Sequence, residues 1–401
     1  MDTDRANPLD AACDAELRQL AELDRRRSLR TMTPGDNHVD INGKQLLNLA
    51  SNDYLGLSRH PKLIAAAADA TQRFGVGAGA SRLVSGTSPL HDRVEQRFAA
   101  FKHAEACLLL PTGYVANLAV LTTLAGPGDL IVLDKLVHAS LIDAARASGA
   151  EVRTFTHLDL QRAERLLSKS CDGRRLLVTD SVFSMDGDCA DLPALCDLAD
   201  RTNAILLVDE AHGTGVLGAT GGGLAEAQGV AERVYHCGAG GVVVSTASKA
   251  LGSLGGLITS SQPVIDLLIN QARSFIYSTA VPPAQAAAID AAIDVVRDEP
   301  QRRKRLQALS MHARDSLLQR GWPILLQAAQ QPPSPIIPLI VGEPSSALTL
   351  ASRLESKSIF APAIRPPTVA PGSARVRISL NAELTDDELE RVLDAVGTPG
   401  G

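Results

Sequence analysis

Six short apolar runs recur through the middle of this 401-residue chain, and they constrain its fold more than any other feature. They lie between residues 61 and 289, and a segment of helix length separates each run from the next. The runs are ACLLLP, DLIVLD, EVRTFTH, RRLLVTDSVFS, AILLVDEAHG and VVVSTASK. Apolar strands that alternate with helices are typical of a mostly parallel sheet with helices on both faces. The pattern therefore predicts a doubly wound α/β domain.

The pattern changes on both sides of this alternating region, which indicates more than one domain. Residues 1–50 are predicted to form an N-terminal extension, with a helix over 15–27 and a pair of strands in HVDINGKQLLNLAS. Residues 51–295 would form the large domain. A charged helix over 298–322 leads into a small C-terminal α/β domain, residues 296–401, which contains the runs PIIPLIVG, SSALTLASRLESKS and TDDELERVLDAV.

Composition and charge narrow the classes of function. The net charge of −6 argues against nucleic acid as a partner. We expect no membrane association, because no apolar run approaches the roughly 18 residues of a membrane helix and no signal peptide is visible. The six cysteines lack CxxC spacing, which fits reduced thiols in the cytoplasm better than a disulfide framework or a metal site.

The run AILLVDEAHG ends in an acid and a histidine, Asp209 and His212. DEAH occurs in nucleic-acid motors, but the chain has no GxxxxGK[ST] loop for the phosphates that such a motor needs. Residues 213–218 match GxGxxG, yet the first glycine does not turn directly off the strand, as it does in dinucleotide folds. A purely structural turn would not explain the acid and the histidine. Asp209 is therefore predicted to lie at the edge of the sheet where α/β proteins bind ligands.

The segment STASKALGSLGG places Lys249 among small residues just past an apolar strand. Burial lowers the pKa of a lysine and makes its amine nucleophilic. A buried lysine and a buried aspartate that face one crevice suit pyridoxal phosphate, whose aldehyde binds a lysine and whose ring nitrogen binds a carboxylate. In PTGYVANLAVL, the helix that opens at Gly113 and Tyr114 offers free N–H groups to the phosphate, although an ordinary strand-to-helix turn is the alternative for this segment alone.

Nine motifs together resemble the α-oxoamine synthase family of pyridoxal-phosphate enzymes, and the resemblance extends from about residue 25 to the final helix. They are ASNDYLGLSRHP, GASRLVSGTSPLH, PTGYVANLAVL, HASLIDAARAS, TDSVFSMDGD, VDEAHGTGVLG, STASKALGSLGG, FIYSTAVPPAQ and IRPPTVAPGSARVRI. The resemblance implies an aspartate-aminotransferase-like fold (fold type I), with a large doubly wound domain and a small α/β C-terminal domain. It also implies pyridoxal phosphate as cofactor and a homodimer with shared active sites.

The segment RPPTV resembles family members that condense L-alanine with a pimeloyl thioester and release CO2. The thioester carrier, coenzyme A or an acyl carrier protein, stays open. A relative that uses glycine is the alternative within the family. A non-catalytic protein that binds pyridoxal phosphate is the alternative from another class.

The family motifs imply three catalytic residues. Lys249 would bind the cofactor aldehyde and move protons, Asp209 would pair with the ring nitrogen, and His138 would stack on the ring and orient the substrates. Without the family, His138 would be interpreted as a structural histidine. The residues that the resemblance implies at the cofactor are Gly113, Tyr114, His138, Asp180, Ser184, Asp209, His212, Thr246 and Lys249, together with Tyr277 and Ser278 contributed across a dimer interface.

Substrate contacts are predicted in two groups. Arg375 and Arg377 lie two residues apart on a predicted strand, so both face the same way, and either one is expected to bind the amino-acid carboxylate together with Asn52. The alternative is that both are solvent-facing charges.

The second group lies on the acyl side. The resemblance places Arg26 or its neighbour Arg27 near the acyl thioester, and it places Arg365 and Thr368 of RPPTV there as well. Arg365 could equally be a structural ion-pairing residue.

Overall fold

The computed structural model describes residues 7–324 and 332–399. Its first helix is capped by Asn7, whose side chain accepts a hydrogen bond from the Leu9 amide, and Pro8 occupies the first helical turn. This helix therefore begins and ends earlier than the predicted span of 15–27. The elements before the central sheet are α1 (Pro8–Glu22), β1 (Thr33–Pro34), β2 (His38–Ile41), β3 (Lys44–Asn48), α2 (Pro61–Phe74) and α3 (Pro89–Phe101).

The alternating region forms strands at all six predicted apolar runs. It contains β4 (Ala106–Leu110), α4 (Gly113–Leu124), β5 (Leu130–Asp134), α5 (Ala139–Ala147), β6 (Glu151–Phe155), α6 (Leu160–Leu167), β7 (Arg175–Asp180), α7 (Leu192–Thr202), β8 (Ile205–Asp209), α8 (Leu224–Ala227), α9 (Arg233–His236), β9 (Gly241–Thr246), β10 (Gly256–Ser260), α10 (Gln262–Gln271), α11 (Arg273–Ile276) and α12 (Pro283–Asp298).

Seven strands form the central sheet in the order β4-β10-β9-β8-β7-β5-β6, and all of them except β10 run parallel. The chain passes from β4 towards β6 and then back through β7, β8 and β9. Right-handed crossovers therefore place α4 and α5 on one face and α6 and α7 on the other. The predicted doubly wound α/β domain is confirmed.

The sequence reasoning missed β10, which lies antiparallel between β4 and β9. It is only five residues long and follows a glycine-rich segment, so its apolar pattern is weak. Its first residue, Gly256, packs against the Thr112 backbone so closely that an added Cβ would lie 2.3 Å from the Thr112 oxygen. This contact brings the start of α4 beside residues 247–255, the connection that carries Lys249.

The C-terminal part forms a second sheet and contributes one strand to a third sheet. Its elements are α13 (Pro300–Gln319), β11 (Ile336–Gly342), α14 (Pro344–Ser356), β12 (Ile359–Phe360), β13 (Ala363–Ile364), β14 (Ala374–Ser379) and α15 (Asp386–Val396). Strands β11, β14 and β13 form an antiparallel sheet, while β12 pairs in parallel with β3 in the sheet β1-β2-β3-β12. The division at residues 50 and 295 stays a prediction, and the N-terminal strand pair shares its sheet with the C-terminal part.

The helix predicted over 298–322 is interrupted at its start. Helix α12 ends at Asp298, and α13 begins at Pro300, which cannot continue the backbone hydrogen bonds of a preceding helix. Across residues 7–324 and 332–399, no helix combines the length and the apolar character needed to cross a membrane.

A buried ion pair stabilises the turn that follows β8. Lys102, at the end of α3, donates to the Glu210 carboxylate, to the Gly222 carbonyl and to the Thr214 hydroxyl. The other carboxylate oxygen of Glu210 accepts from the Ala225 amide at 2.9 Å. Both charged side chains are almost fully buried, so each depends on the other for its solvation. The pair therefore holds the segment between Asp209 and α8 in place.

We expect Lys102→Met to lower the free energy of unfolding by about 3–5 kcal/mol, because it leaves the Glu210 carboxylate buried without its countercharge. Denaturant titration measures the change. The matched control is Arg73→Met, which removes the exposed pair of Arg73 with Asp69 and should cost less than about 1 kcal/mol. Equal effects of the two variants would contradict the role given to Lys102.

Candidate active site

A cavity of about 190 Å³ lies at the carboxyl ends of β4, β5, β7, β8 and β9. These strand ends meet there because parallel strands present their carboxyl ends at one edge of the sheet. Eight of the predicted cofactor residues line the cavity: Gly113, Tyr114, His138, Asp180, Asp209, His212, Thr246 and Lys249. Thr112, which precedes Gly113 in the predicted phosphate-binding turn, lines it as well. The sequence reasoning missed three further polar residues of the lining: Asn117, Ser140 and Ser248.

The Asp209 carboxylate is held at the end of β8 by two donors. Its Oδ2 accepts from Asn117 Nδ2 at 2.7 Å, and its Oδ1 accepts from the Ala211 amide at 2.9 Å. Asn117 also donates to the Ser140 hydroxyl at 2.8 Å. Asn117 was detectable in principle, because it is the lone amide in the apolar helix GYVANLAVL and lies one turn after Gly113. The arrangement fixes a buried carboxylate where a cationic ring nitrogen would bind.

The Lys249 amine also lines the cavity and lies 2.7 Å from His212 Nε2. Burial lowers the pKa of Lys249 to about 8, although the nearby carboxylates of Asp209 and Asp180 oppose this change. A substantial fraction of the amine is therefore neutral slightly above neutral pH. Such an amine can act as a nucleophile towards an aldehyde and as a general base.

His138 caps the N-terminus of α5 and is held from two sides. Its Nδ1 lies 2.7 Å from the Ser140 hydroxyl, and its backbone amide donates to the Asp180 carboxylate at 3.2 Å. Burial lowers the pKa of His138, so its imidazole is neutral. Burial and the neighbouring Asp209 charge raise the pKa of Asp180 well above its ordinary value. His138 thus presents a fixed, uncharged ring to the cavity.

The end of the cavity next to α4 suits a phosphate group. Thr112 caps the helix by accepting from the Val115 amide, and the free N–H groups of the first turn belong to residues that line the cavity. A Cβ on Gly113 would lie 3.4 Å from Thr246, an ordinary van der Waals distance, so the start of α4 lies directly beside the end of β9. The Thr246 hydroxyl donates to the Gly255 carbonyl at 3.0 Å and lies 2.8 Å from the Ser248 hydroxyl, and both residues add polar groups to the cavity. The residues present therefore fit pyridoxal phosphate.

Three of the predicted cofactor residues lie outside the lining of this cavity. The Ser184 carbonyl accepts from Arg377 at 2.8 Å, which places Ser184 on the side of β14. Tyr277 follows α11 and is 71% exposed, and its neighbour Ser278 lies beside it on the same surface segment. The roles of Tyr277 and Ser278 in a partner's site stay predictions.

The structure distinguishes the two arginines of β14, both of which are buried rather than solvent-facing. Arg375 pairs with the Asp186 carboxylate at 2.6 Å and donates to the Met185 carbonyl. Arg377 instead donates to Asn52 Oδ1 at 2.7 Å, and its charge contributes to lowering the pKa of Lys249. Arg377 is therefore the arginine that contacts Asn52, whereas Arg375 is neutralised by Asp186. Neither arginine lines the cavity around Lys249, and Asn52 does not line it either.

The acyl-side residues come together at the surface. Arg27 Nη2 donates to the Thr368 hydroxyl at 3.2 Å, and the Arg365 guanidinium donates to the Asp24 carbonyl. The structure thus links RPPTV to the segment after α1 through Arg27 rather than through the side chain of Arg26, whose amide donates to the Leu20 carbonyl. None of these residues lines the cavity around Lys249.

His157 is a half-buried histidine, which the sequence reasoning did not identify. It follows β6 and bridges Asp134 at 3.0 Å and Asp188 at 2.7 Å, while its ring packs edge-on against Phe183 with centroids 4.3 Å apart. Burial alone would lower its pKa, but the hydrogen bonds to the two carboxylates outweigh burial and raise the pKa of His157 to about 9. The charged ring thus ties the loop that carries Ser184 to the sheet.

We expect the stabilisation from charged His157 to be complete below pH 6.5, the ordinary pKa of histidine, and to be lost as the pH rises to about 9. The difference in unfolding free energy between the wild type and His157→Gln should therefore shrink from pH 6 to pH 9.5. Denaturant titrations across this range measure it. A difference that does not change with pH would mean that His157 is not charged in the folded protein.

Comparison with known proteins agrees with this geometry. Residues 44–396 match the family model of class I and II aminotransferases. An 8-amino-7-oxononanoate synthase from Stutzerimonas stutzeri is 44% identical over 391 residues, which cover 96% of each chain. A serine palmitoyltransferase from S. paucimobilis, solved with bound PLP, superposes with a TM-score of 0.88 at 28% identity over 98% of each chain. An 8-amino-7-oxononanoate synthase from Francisella tularensis superposes with a TM-score of 0.76 at 26% identity over 88% of this chain and 96% of that one.

The sheet order and the paired Lys249 and Asp209 at its edge define a fold type I enzyme of the class I and II aminotransferase superfamily. The similarity over nearly the full length is more specific. The chain belongs to the α-oxoamine synthase family, as its motifs predicted.

Proposed function

We propose that the protein catalyses the decarboxylative condensation of L-alanine with a pimeloyl thioester to give 8-amino-7-oxononanoate, CO2 and the free thiol, a step of biotin biosynthesis. The observation that carries the proposal is the cavity that joins the low-pKa amine of Lys249 to the buried carboxylate of Asp209. The 44% identity to an 8-amino-7-oxononanoate synthase over 96% of both chains supports the choice of substrates.

The cofactor is pyridoxal phosphate, which supplies an electron sink for negative charge at the substrate Cα. Lys249 would hold its aldehyde, and Asp209 would hold its ring nitrogen. The first turn of α4 and Thr246 would hold the phosphate. His138 would lie against the ring, while His212 and Ser184 would bind the phenolic oxygen.

The chain's own residues would then move one proton and orient two substrates. Lys249, with a pKa of about 8, can take a proton from the alanine Cα and return it after CO2 is lost. Arg377 and Asn52 are adjacent and offer a guanidinium and an amide to the alanine carboxylate. Neutral His138 would orient that carboxylate and the thioester carbonyl.

The acyl side of the proposal rests on the contact of Arg27 with Thr368 and on the position of Arg365 beside it. These cations would face the carboxylate or the carrier of the thioester, which is either coenzyme A or an acyl carrier protein. Arg26, the neighbour of Arg27, would lie near the acyl thioester as well.

We also propose a homodimer with shared active sites that acts in the cytoplasm. Several apolar side chains are exposed on the glycine-rich segment 74–86, among them Val76 and Val84. A backbone bridge between Ser81 and Thr279 brings this segment beside the exposed Tyr277. Exposed apolar side chains of this kind are typical of a subunit interface. Tyr277 and Ser278 would then reach the cofactor of the partner subunit.

Substrate choice is tested by measuring kcat/KM for pimeloyl-CoA and acetyl-CoA, each with L-alanine and with glycine, with products identified by mass spectrometry. We expect pimeloyl-CoA with L-alanine to react fastest. Glycine should be about 10–200-fold poorer, because one methyl group contributes only about 1–3 kcal/mol to discrimination. Fastest reaction of glycine with acetyl-CoA would assign the chain to a glycine-using branch and leave the cofactor residues as they are.

The choice between the two arginines is tested with Arg377→Lys and Arg375→Lys. We expect Arg377→Lys to raise the KM for L-alanine about 10–100-fold with unchanged cofactor absorbance. A lysine cannot form the two parallel hydrogen bonds that a guanidinium makes to a carboxylate. Arg375→Lys should leave this KM near the wild-type value and act mainly on stability through Asp186. A larger KM effect at Arg375 would reverse the assignment.

A further inference from the structure

Tyr54 is fully buried beside the active site, although its hydroxyl does not line the cavity. That hydroxyl lies 2.7 Å from His212 Nδ1 and 3.1 Å from Asn52 Oδ1. Asn52 is in turn bonded to Arg377, and His212 is bonded to Lys249. Tyr54 is therefore the central link in an unbroken chain of hydrogen bonds from the proposed carboxylate-binding arginine to the catalytic lysine.

The chemistry of the donors fixes the direction of every bond in this chain. A guanidinium can only donate, so the Asn52 atom that faces Arg377 at 2.7 Å is the amide oxygen. The same oxygen accepts from the Tyr54 hydroxyl, so the single phenol proton is donated to Asn52. The bond between Tyr54 and His212 then requires the proton to lie on His212 Nδ1.

His212 carries no second proton. Burial lowers its pKa well below the ordinary value, and the positive charges of Lys249 and Arg377 act in the same direction. A neutral imidazole with its proton on Nδ1 has a lone pair on Nε2, which is the atom 2.7 Å from Lys249 Nζ. The Lys249 amine thus donates to His212. The charged groups that act on the amine are the carboxylates of Asp209 and Asp180 and the guanidinium of Arg377.

We propose that Tyr54 is a positioning residue: it holds His212 in the tautomer whose Nε2 accepts from Lys249, and it thereby couples the carboxylate-binding pair Arg377 and Asn52 to the catalytic amine. The coupling rests on the proposed function, which gives Arg377 the substrate carboxylate. The assignment of the His212 proton to Nδ1 depends only on the hydrogen bonds that link Arg377, Asn52, Tyr54, His212 and Lys249.

The test removes one oxygen atom. In Tyr54→Phe, the Nδ1 proton of His212 loses its acceptor, so the proton can move to Nε2, where it faces the ammonium group of Lys249. This disfavours the charged amine, and the pKa of Lys249 should fall below that of the wild type. We expect the midpoint for acylation of Lys249 by acetic anhydride, followed by peptide mass spectrometry, to move about 0.5–1 pH lower.

The labelling uses protein from which the cofactor has been removed, and recovery of visible absorbance on adding pyridoxal phosphate shows that the fold is intact. Tyr235→Phe is the matched control, because Tyr235 is a second buried tyrosine whose hydroxyl meets Thr259 Oγ1 at 2.9 Å outside the cavity. Its labelling midpoint should equal that of the wild type. In the holoenzyme, Tyr54→Phe should lower kcat about tenfold and change the KM for L-alanine less.

An unchanged Lys249 midpoint in Tyr54→Phe would overturn the proposal, and so would an equal change in Tyr235→Phe. If Tyr54→Phe does not recover cofactor absorbance, Asn52→Ala removes the acceptor on the other side of the phenol. It should move the midpoint in the same direction, and no movement there would also overturn the proposal. Failure of the proposed function would show differently, as a wild-type enzyme that does not condense L-alanine with pimeloyl-CoA.

Discussion

The burial of the Lys249 amine is the constraint on which the rest of the site depends. An amine in water stays protonated near neutral pH, whereas removal from water lowers the pKa of Lys249 to about 8. Strands β8 and β9 are apolar up to Val208 and Val244, respectively, and they provide this dry environment. They end at Asp209 and Thr246. Polar groups enter only at the strand ends, and each is held by a named partner there. The chemistry of the site is thus a consequence of where the strands stop.

The antiparallel strand β10 explains how a lysine can be kept in this position. If the next strand ran parallel to β9, the connection to it would have to cross a face of the sheet. Strand β10 instead runs antiparallel and lies directly beside β9. Residues 247–255 therefore stay at the edge of the sheet, between Thr246 and the start of α4. Gly256 permits the close approach of β10 to Thr112, so the lysine and the phosphate-binding turn are fixed by the same contact.

Much of this arrangement could be predicted from the sequence, because strand ends and their polar residues leave a local pattern. Asp209, His138 and Lys249 each follow an apolar run, and the cavity contains all three. Tyr54, His157 and the choice of Arg377 over Arg375 could not be predicted in this way. Their roles depend on partners 158, 31 and 189 residues away in the chain, respectively, and no local spacing encodes such contacts.

The distribution of charge in the cavity gives a reason for a shared active site. Among the residues described as lining it, Lys249 is the only Lys or Arg, and its amine would bind the aldehyde rather than the phosphate. The phosphate end offers backbone N–H groups and the hydroxyls of Thr246 and Ser248, all of which are neutral. A helix N-terminus carries about half a positive charge, less than a phosphate dianion requires for neutralisation. Additional donors from a partner subunit, such as the exposed Tyr277 and Ser278, would complete the binding of the anion without placing a second cation beside Lys249, where it would lower the pKa of the amine further.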